Sequence, residues 1–191
     1  MNYLDFSQMT RQRYLVMLAF FTALAVTIFI LESIIPKPLP FMKLGLSNVV
    51  VLVLLVSGNL RSAVVVAIAK SILGGLLAGT LFSPTTLLSL SGTILSLLVM
   101  MLLLKLPFDF SILGISIGGA VAHNFGQIGL VRLLLIKENS IFYLTPLLIL
   151  MGIVTGIITG YLAKIFIDKM KEEYEEKKKE TSNKEQKKNC I

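Results

Sequence analysis

The sequence predicts an all-α polytopic membrane protein, a bundle of six transmembrane helices with both termini in the cytoplasm. Three observations predict it. Of 191 residues, 55% are hydrophobic and only 15% charged, too apolar for an ordinary soluble domain. Six apolar runs, most near or above the roughly 20 residues needed to cross a bilayer, alternate with short polar breaks. Lys and Arg fall singly at the ends of these runs, with a bias towards one side.

Taken in order, residues 1–13 form a cytoplasmic segment carrying Arg11 and Arg13. The first span, 14–35, is of full length and has no small-residue cleavage site behind it, so it reads as a retained signal anchor. "PKPLP" at 36–40 ends it. The second, 44–58, is the shortest at about 15 residues, and "SGN" at 57–59 closes it. The third, 61–82, stops at "SP" (83–84), the fourth, 85–104, at "LPFD" (106–109), and the fifth, 112–136, at "KENS" (137–140). The sixth is 141–167. Proline and glycine end helices and the polar residues face water. With the N-terminus inside, Arg61, Lys105, Lys164 and the Lys-rich end join Arg11 and Arg13 on the cytoplasmic side. Lys37, Lys43 and Lys137 face out, with Arg132 just below the surface.

Residues 168–191 hold eight Lys against seven acids, so nearly all of the net charge of +7 belongs to the body before them. Glu173 and Lys177, then Glu175 and Lys179, stand four apart in the favourable order and extend the last span as a solvated helix. Beyond Thr181 the composition predicts disorder. This charged tail is read as a positive-inside anchor, with lipid or partner docking through Lys177–Lys179 as the alternative.

Several function classes are disfavoured. Scattered bases at span ends are a membrane pattern, not a nucleic-acid footprint. Cys190 is the single cysteine, so a disulfide framework within the chain is ruled out. Asp occurs only at 5, 109 and 168, which leaves no aspartate-rich pair to hold magnesium and a diphosphate. There is no phosphate-binding loop, no zinc-ligand spacing, and no partner placed to make the lone His a triad member. No enzyme activity, cofactor or metal is expected of this chain.

Helices in lipid associate through small residues that let backbones approach. Gly152, Gly156 and Gly160 form one such ridge; Gly75 and Gly79 form another, and Gly114 and Gly118 a third. Ala19, Ala23 and Thr27 make a smooth stripe on the first span, a packing face or a docking surface for a second protein. Polar residues inside the membrane cost about 2.5–3.5 kcal/mol when charged and tend to mark function. Lys70 and His123 lie near mid-span. Asn124 and Gln127 share a face with His123, and Arg132 lies further along. Glu32 stands near the end of the first span and Asn48 early in the second. These groups either bond to one another or line a cavity opening outward, where Lys43, Arg132 and Lys70 favour an anionic ligand.

"PKPLPFMKLGLSNVVVL" (36–52), "LLSLSGTILSLLVM" (87–100) and "SIGGAVAHNFGQI" (116–128) together resemble the bacterial membrane family labelled heptaprenyl diphosphate synthase component I, also called the Gx transporter family. The resemblance covers about residues 14–167. Its layout is similar to the S-components of energy-coupling factor transporters. That likeness implies a solute captured from outside the cytoplasmic membrane, a lid in residues 36–43, and docking of ATP-driven coupling subunits on Ala19 and Ala23. It also leaves open a non-catalytic membrane partner of a soluble prenyl diphosphate synthase. A scaffold in a membrane redox assembly is a third possibility.

Overall fold

The structure, a computed structural model, describes residues 10–34, 44–134, 143 and 145–189. Six α-helices follow one another: α1 (Arg11–Ile34), α2 (Asn48–Val56), α3 (Leu60–Leu77), α4 (Pro84–Lys105), α5 (Ile112–Leu134) and α6 (Thr145–Asn189). Four of them are long and apolar enough to cross a membrane: Arg11–Ile34, Leu60–Leu77, Pro84–Lys105 and, within α6, Thr145–Glu176. At 23 residues α5 is long enough, but its imidazole and amides dilute its hydropathy. It packs between α4 and α6.

Side-chain contacts give the helix directions. The Ser62 hydroxyl donates to Tyr14 Oη at 3.4 Å near the start of both α3 and α1, and Gly74 takes the Phe29 ring near their far ends. The two helices are therefore parallel, and the chain must return through the bundle between them. It does so in part through α2, which at nine residues is only about 13 Å long. Within the short second run expected at 44–58, the helix itself covers only Asn48–Val56. Asn48 and every residue from Val50 to Leu55 are buried, and α2 touches each of the other five helices. Its "VVVLVLLV" run is apolar on all sides, which suits a helix enclosed by others rather than one with a polar face.

Around this central rod the neighbours run α1–α3–α4–α5–α6. The seam between α6 and α1 is bridged by the edge-to-face pair Phe21–Phe166, with ring centres 6.4 Å apart. This pair sets the middle of α1 beside the middle of α6.

Glycines set the tightest approaches, though not always where the spacing suggested. A Cβ at Gly152 would lie 2.9 Å from Val121 Cα, at Gly156 2.5 Å from Ile117 Cα and at Gly160 3.1 Å from Leu113 Cα. α6 thus lies backbone to backbone on α5. Gly75 abuts Thr86 and Gly118 abuts Leu103. Gly79 does not pack at all: with φ +67° and open space around it, it ends α3. The Thr80 N–H reaches Gly75 O and the Gly79 N–H reaches Leu76 O, the paired bonds of a Schellman cap. Gly58 (φ +80°) closes α2 in the same way, with Asn59 N–H on Leu54 O and Gly58 N–H on Leu55 O. Gly114 meets nothing nearer than Ser111 Oγ at 3.5 Å, an ordinary contact and not a ridge. A close backbone approach of α4 and α5 at Gly92 and Gly126 was not expected; a Cβ on Gly126 would lie 2.9 Å from Gly92 Cα.

α6 continues unbroken to Asn189, 45 residues in all, where disorder was expected beyond Thr181. The Glu, Lys and Gln that dominate the segment are strong helix formers, and a helix already nucleated by the packed span adds residues at little cost.

The distribution of polarity is inverted relative to a soluble protein. Lys70, His123, Gln127 and Glu32 are among the most fully buried side chains, while Val16, Phe20, Leu31, Leu77, Leu102, Leu133 and Leu150 are exposed. An apolar exterior on several long helices fits a multi-pass membrane protein.

Candidate functional site

Two apolar clusters occupy the bundle. The larger gathers Phe21 and Ala25 of α1, Val50–Leu55 of α2, Ala63, Val66 and Ala67 of α3, Leu97 and Met100 of α4, Ile115 of α5 and Ala163 of α6. The smaller joins Leu88, Ile128, Val131 and Leu148 of α4, α5 and α6 towards the opposite end. A polar layer lies between them.

Its floor is the start of α2. Gly45 (φ +81°) turns the chain into that helix, and its N–H donates to Glu32 Oε1 at 2.7 Å. The turn places Ser47 and Asn48 beside α3, where Lys70 Nζ donates to Asn48 Oδ1 and, at 2.9 Å, to Ser47 Oγ. Lys70 is 1% exposed, and both of these partners are oxygen acceptors, which offset the cost of burying its polar end. The Asn48 amide nitrogen faces His123 Nδ1 at 3.4 Å, and His123 Nε2 faces the Gln127 amide at 2.7 Å, one turn along α5.

Two glycines make room for the imidazole. A Cβ on Gly45 would come 3.1 Å from His123 Cδ2, and one on Gly92 would come 2.9 Å from its Cε1. The ring is therefore clasped between the α2 turn and α4. Neither glycine, nor Ser47, stood out in the sequence, because small residues are common in membrane helices. Their signal was the company they kept, since each lies inside one of the segments quoted above.

Asn124 points towards α6, and its Nδ2 donates to Leu148 O at 2.8 Å. Among the described residues, four buried atoms have no hydrogen-bond partner: Glu32 Oε2, Asn124 Oδ1, Thr93 Oγ1 and Ser96 Oγ. Glu32 is 1% exposed and Asn124 3% exposed, and the Asn124 oxygen can only accept.

The structure thus brings together Asn48, Lys70, His123 and Gln127, with Glu32 linked to them through Gly45 and Asn124 on the adjoining face of α5. Glu32 accepts from the Gly45 backbone. Arg132 is exposed in the last turn of α5, where a cation is favoured by the helix dipole. Lys43 and the expected lid at 36–43 lie outside the described residues.

Two apolar grooves mark the exterior. One, of about 370 Å³, runs between α1 and α6 over α2, lined by Phe21, Leu24, Ile28, Val53 and Phe166, with Lys169 at one end. The other, of about 650 Å³, lies between α1 and α3 and contains Ala19, Ala23 and Thr27. All three are exposed. Thr27 folds its hydroxyl back onto Ala23 O at 2.9 Å, so the stripe presents a smooth face.

A family model described as Heptaprenyl diphosphate synthase component I matches residues 21–166. No curated protein and no solved structure matches the chain.

Proposed function

The chain belongs to the heptaprenyl diphosphate synthase component I family, and from that premise we propose that it is a solute-binding membrane subunit dependent on a separate energising partner. The solute is small, anionic or amphipathic, enters from outside, and meets the polar layer at the start of α2. The observation that carries this reading is a convergence. The three segments that mark the family resemblance supply Gly45 and Asn48, Gly92 and Thr93, and His123, Asn124 and Gln127, and all of these surround one buried polar cluster.

Two acceptors in that region, Glu32 Oε2 and Asn124 Oδ1, have no donor. An unsatisfied buried polar group costs about 1–3 kcal/mol, and a ligand that donates there recovers it. Lys70 and the amides supply donors for the solute's own oxygens. His123, Asn124, Gln127, Asn48 and Glu32 are the residues assigned to contact or orient it; Lys70 acts from beneath them.

Native mass spectrometry of gently extracted protein tests the reading. The wild type is expected to retain a small molecule that His123→Ala loses while still inserting and folding. Equal retention by both would remove His123 from the site, and a wild type that carries nothing would count against the proposal itself.

The family description and the α1–α6 groove favour a second reading, a non-catalytic membrane partner of a heptaprenyl diphosphate synthase. The groove is apolar along its length and ends at Lys169, which suits an isoprenoid chain with an anionic head. Co-expression with a soluble synthase should then raise prenyl transferase activity in membranes; no rise would dismiss this reading.

A further inference from the structure

We infer that Lys70 is a positioning residue that fixes the tautomer of His123 and, through it, the orientation of the Gln127 amide. The inference follows from the donor and acceptor chemistry of four side chains in a row. An ammonium has donors only, so the Asn48 atom it meets is the carbonyl oxygen. That choice leaves the Asn48 amide nitrogen, also a donor only, facing His123 Nδ1. Nδ1 must therefore carry a bare lone pair. A neutral imidazole with a bare Nδ1 holds its proton on Nε2.

The Nε2–H now needs an acceptor, and the Gln127 amide lies 2.7 Å away. Gln127 meets the requirement by turning its oxygen to the ring, since the two ends of a carboxamide are nearly alike in shape and the network chooses between them. If the amide nitrogen faced Nε2 instead, both ring nitrogens would have to accept at once, and neither the neutral ring nor the imidazolium can do that.

Every link then donates in one direction, from Lys70 to Asn48 to His123 to Gln127. Head-to-tail hydrogen bonds polarise one another, so the orientation of each link supports the next. The tautomer assignment does not depend on the solute-binding reading proposed above.

His123 is the only histidine in the chain, so nitrogen-15 histidine labelling of the full-length protein in detergent reports on this single ring. Wild type at neutral pH should show a protonated Nε2 and an unprotonated Nδ1. Asn48→Asp replaces the donor facing Nδ1 by an acceptor and should move the proton to Nδ1. Lys70→Met frees the Asn48 amide to rotate and should give a mixture of tautomers. A role for Lys70 in stability alone would move neither signal.

A wild-type ring protonated on Nδ1, or on both nitrogens, overturns the assignment. So does an Asn48→Asp ring still protonated on Nε2, or a Lys70→Met ring unchanged from wild type. Should Lys70→Met fail to fold, the wild type and Asn48→Asp still decide. A protein that retains no small molecule yet shows the Nε2–H tautomer would keep this assignment and lose the solute reading.

Discussion

A charged or amide side chain can sit in the middle of this bundle only if other groups answer its hydrogen bonds, and the answers are specific. Lys70 is held by Ser47 and Asn48. Hydrogen bonds to a charged group contribute about 1.5–3 kcal/mol, so Asn48→Ala should lower stability by about 2 kcal/mol. Ser33→Ala, which removes only a bond from an exposed residue to its own helix, should stay within about 0.5 kcal/mol. Reversible unfolding in mixed detergent would compare the two. At this scale the sequence was legible wherever a polar residue interrupted an apolar run, which is how Glu32, Asn48, Lys70, His123, Asn124 and Gln127 were found. Gly45, Ser47 and Gly92 were not, because their importance lies in the space they leave for someone else's ring.

Among the elements, α6 and α2 show opposite relations between pattern and structure. The four-residue glycine spacing in α6 corresponds to a backbone-on-backbone crossing with α5, and any side chain there must push two helices apart. Gly156→Val should cost about 1–3 kcal/mol through overpacking, read as a lower unfolding midpoint. Gly79→Ala should also destabilise, by about 1 kcal/mol, but for a different reason: its left-handed backbone is strained for an L side chain. Adding Ile117→Ala should leave the Gly156→Val defect largely in place, because the atom met first is the Ile117 Cα and not its side chain. In α2 the apolar run was visible but its length as a helix was not. Hydropathy counts oily residues without knowing that the first of them unwind into a turn at Gly45. Likewise, the tail's charged composition suggested disorder, whereas continuity with a packed helix carries α6 to Asn189. Removing residues 177–191 should reduce the far-ultraviolet helical signal; an unchanged total would contradict the extended α6.

For the whole molecule, the organising fact is an apolar exterior around a polar middle layer that lies between two apolar clusters. The exterior is not uniform. The α1–α3 groove combines small exposed residues with a recess large enough for side chains of another helix. If coupling subunits dock there, Ala23→Leu should abolish co-purification with them and leave the unfolding midpoint unchanged, because Ala23 supports no contact inside the bundle core. Co-purification that survives the substitution would move the docking surface elsewhere. The parallel arrangement of α1 and α3 is also a property of the whole: it obliges the intervening chain to return through the centre, which delivers the α2 turn to His123.

By itself the sequence determined the membrane class, the helical composition, the family and the identity of the unusual polar residues. All of these follow from local quantities: the length of apolar runs, the breaks between them, and single residues out of keeping with lipid. Only the tertiary structure decided that α2 is a buried half-length helix, that Lys70 meets the turn leading into it, and that three distant segments clasp one imidazole. Those outcomes depend on which helix faces meet across tens of residues. Hydrogen-bond direction and close approach belong to pairs of groups, and no single stretch of the chain contains both members of a pair.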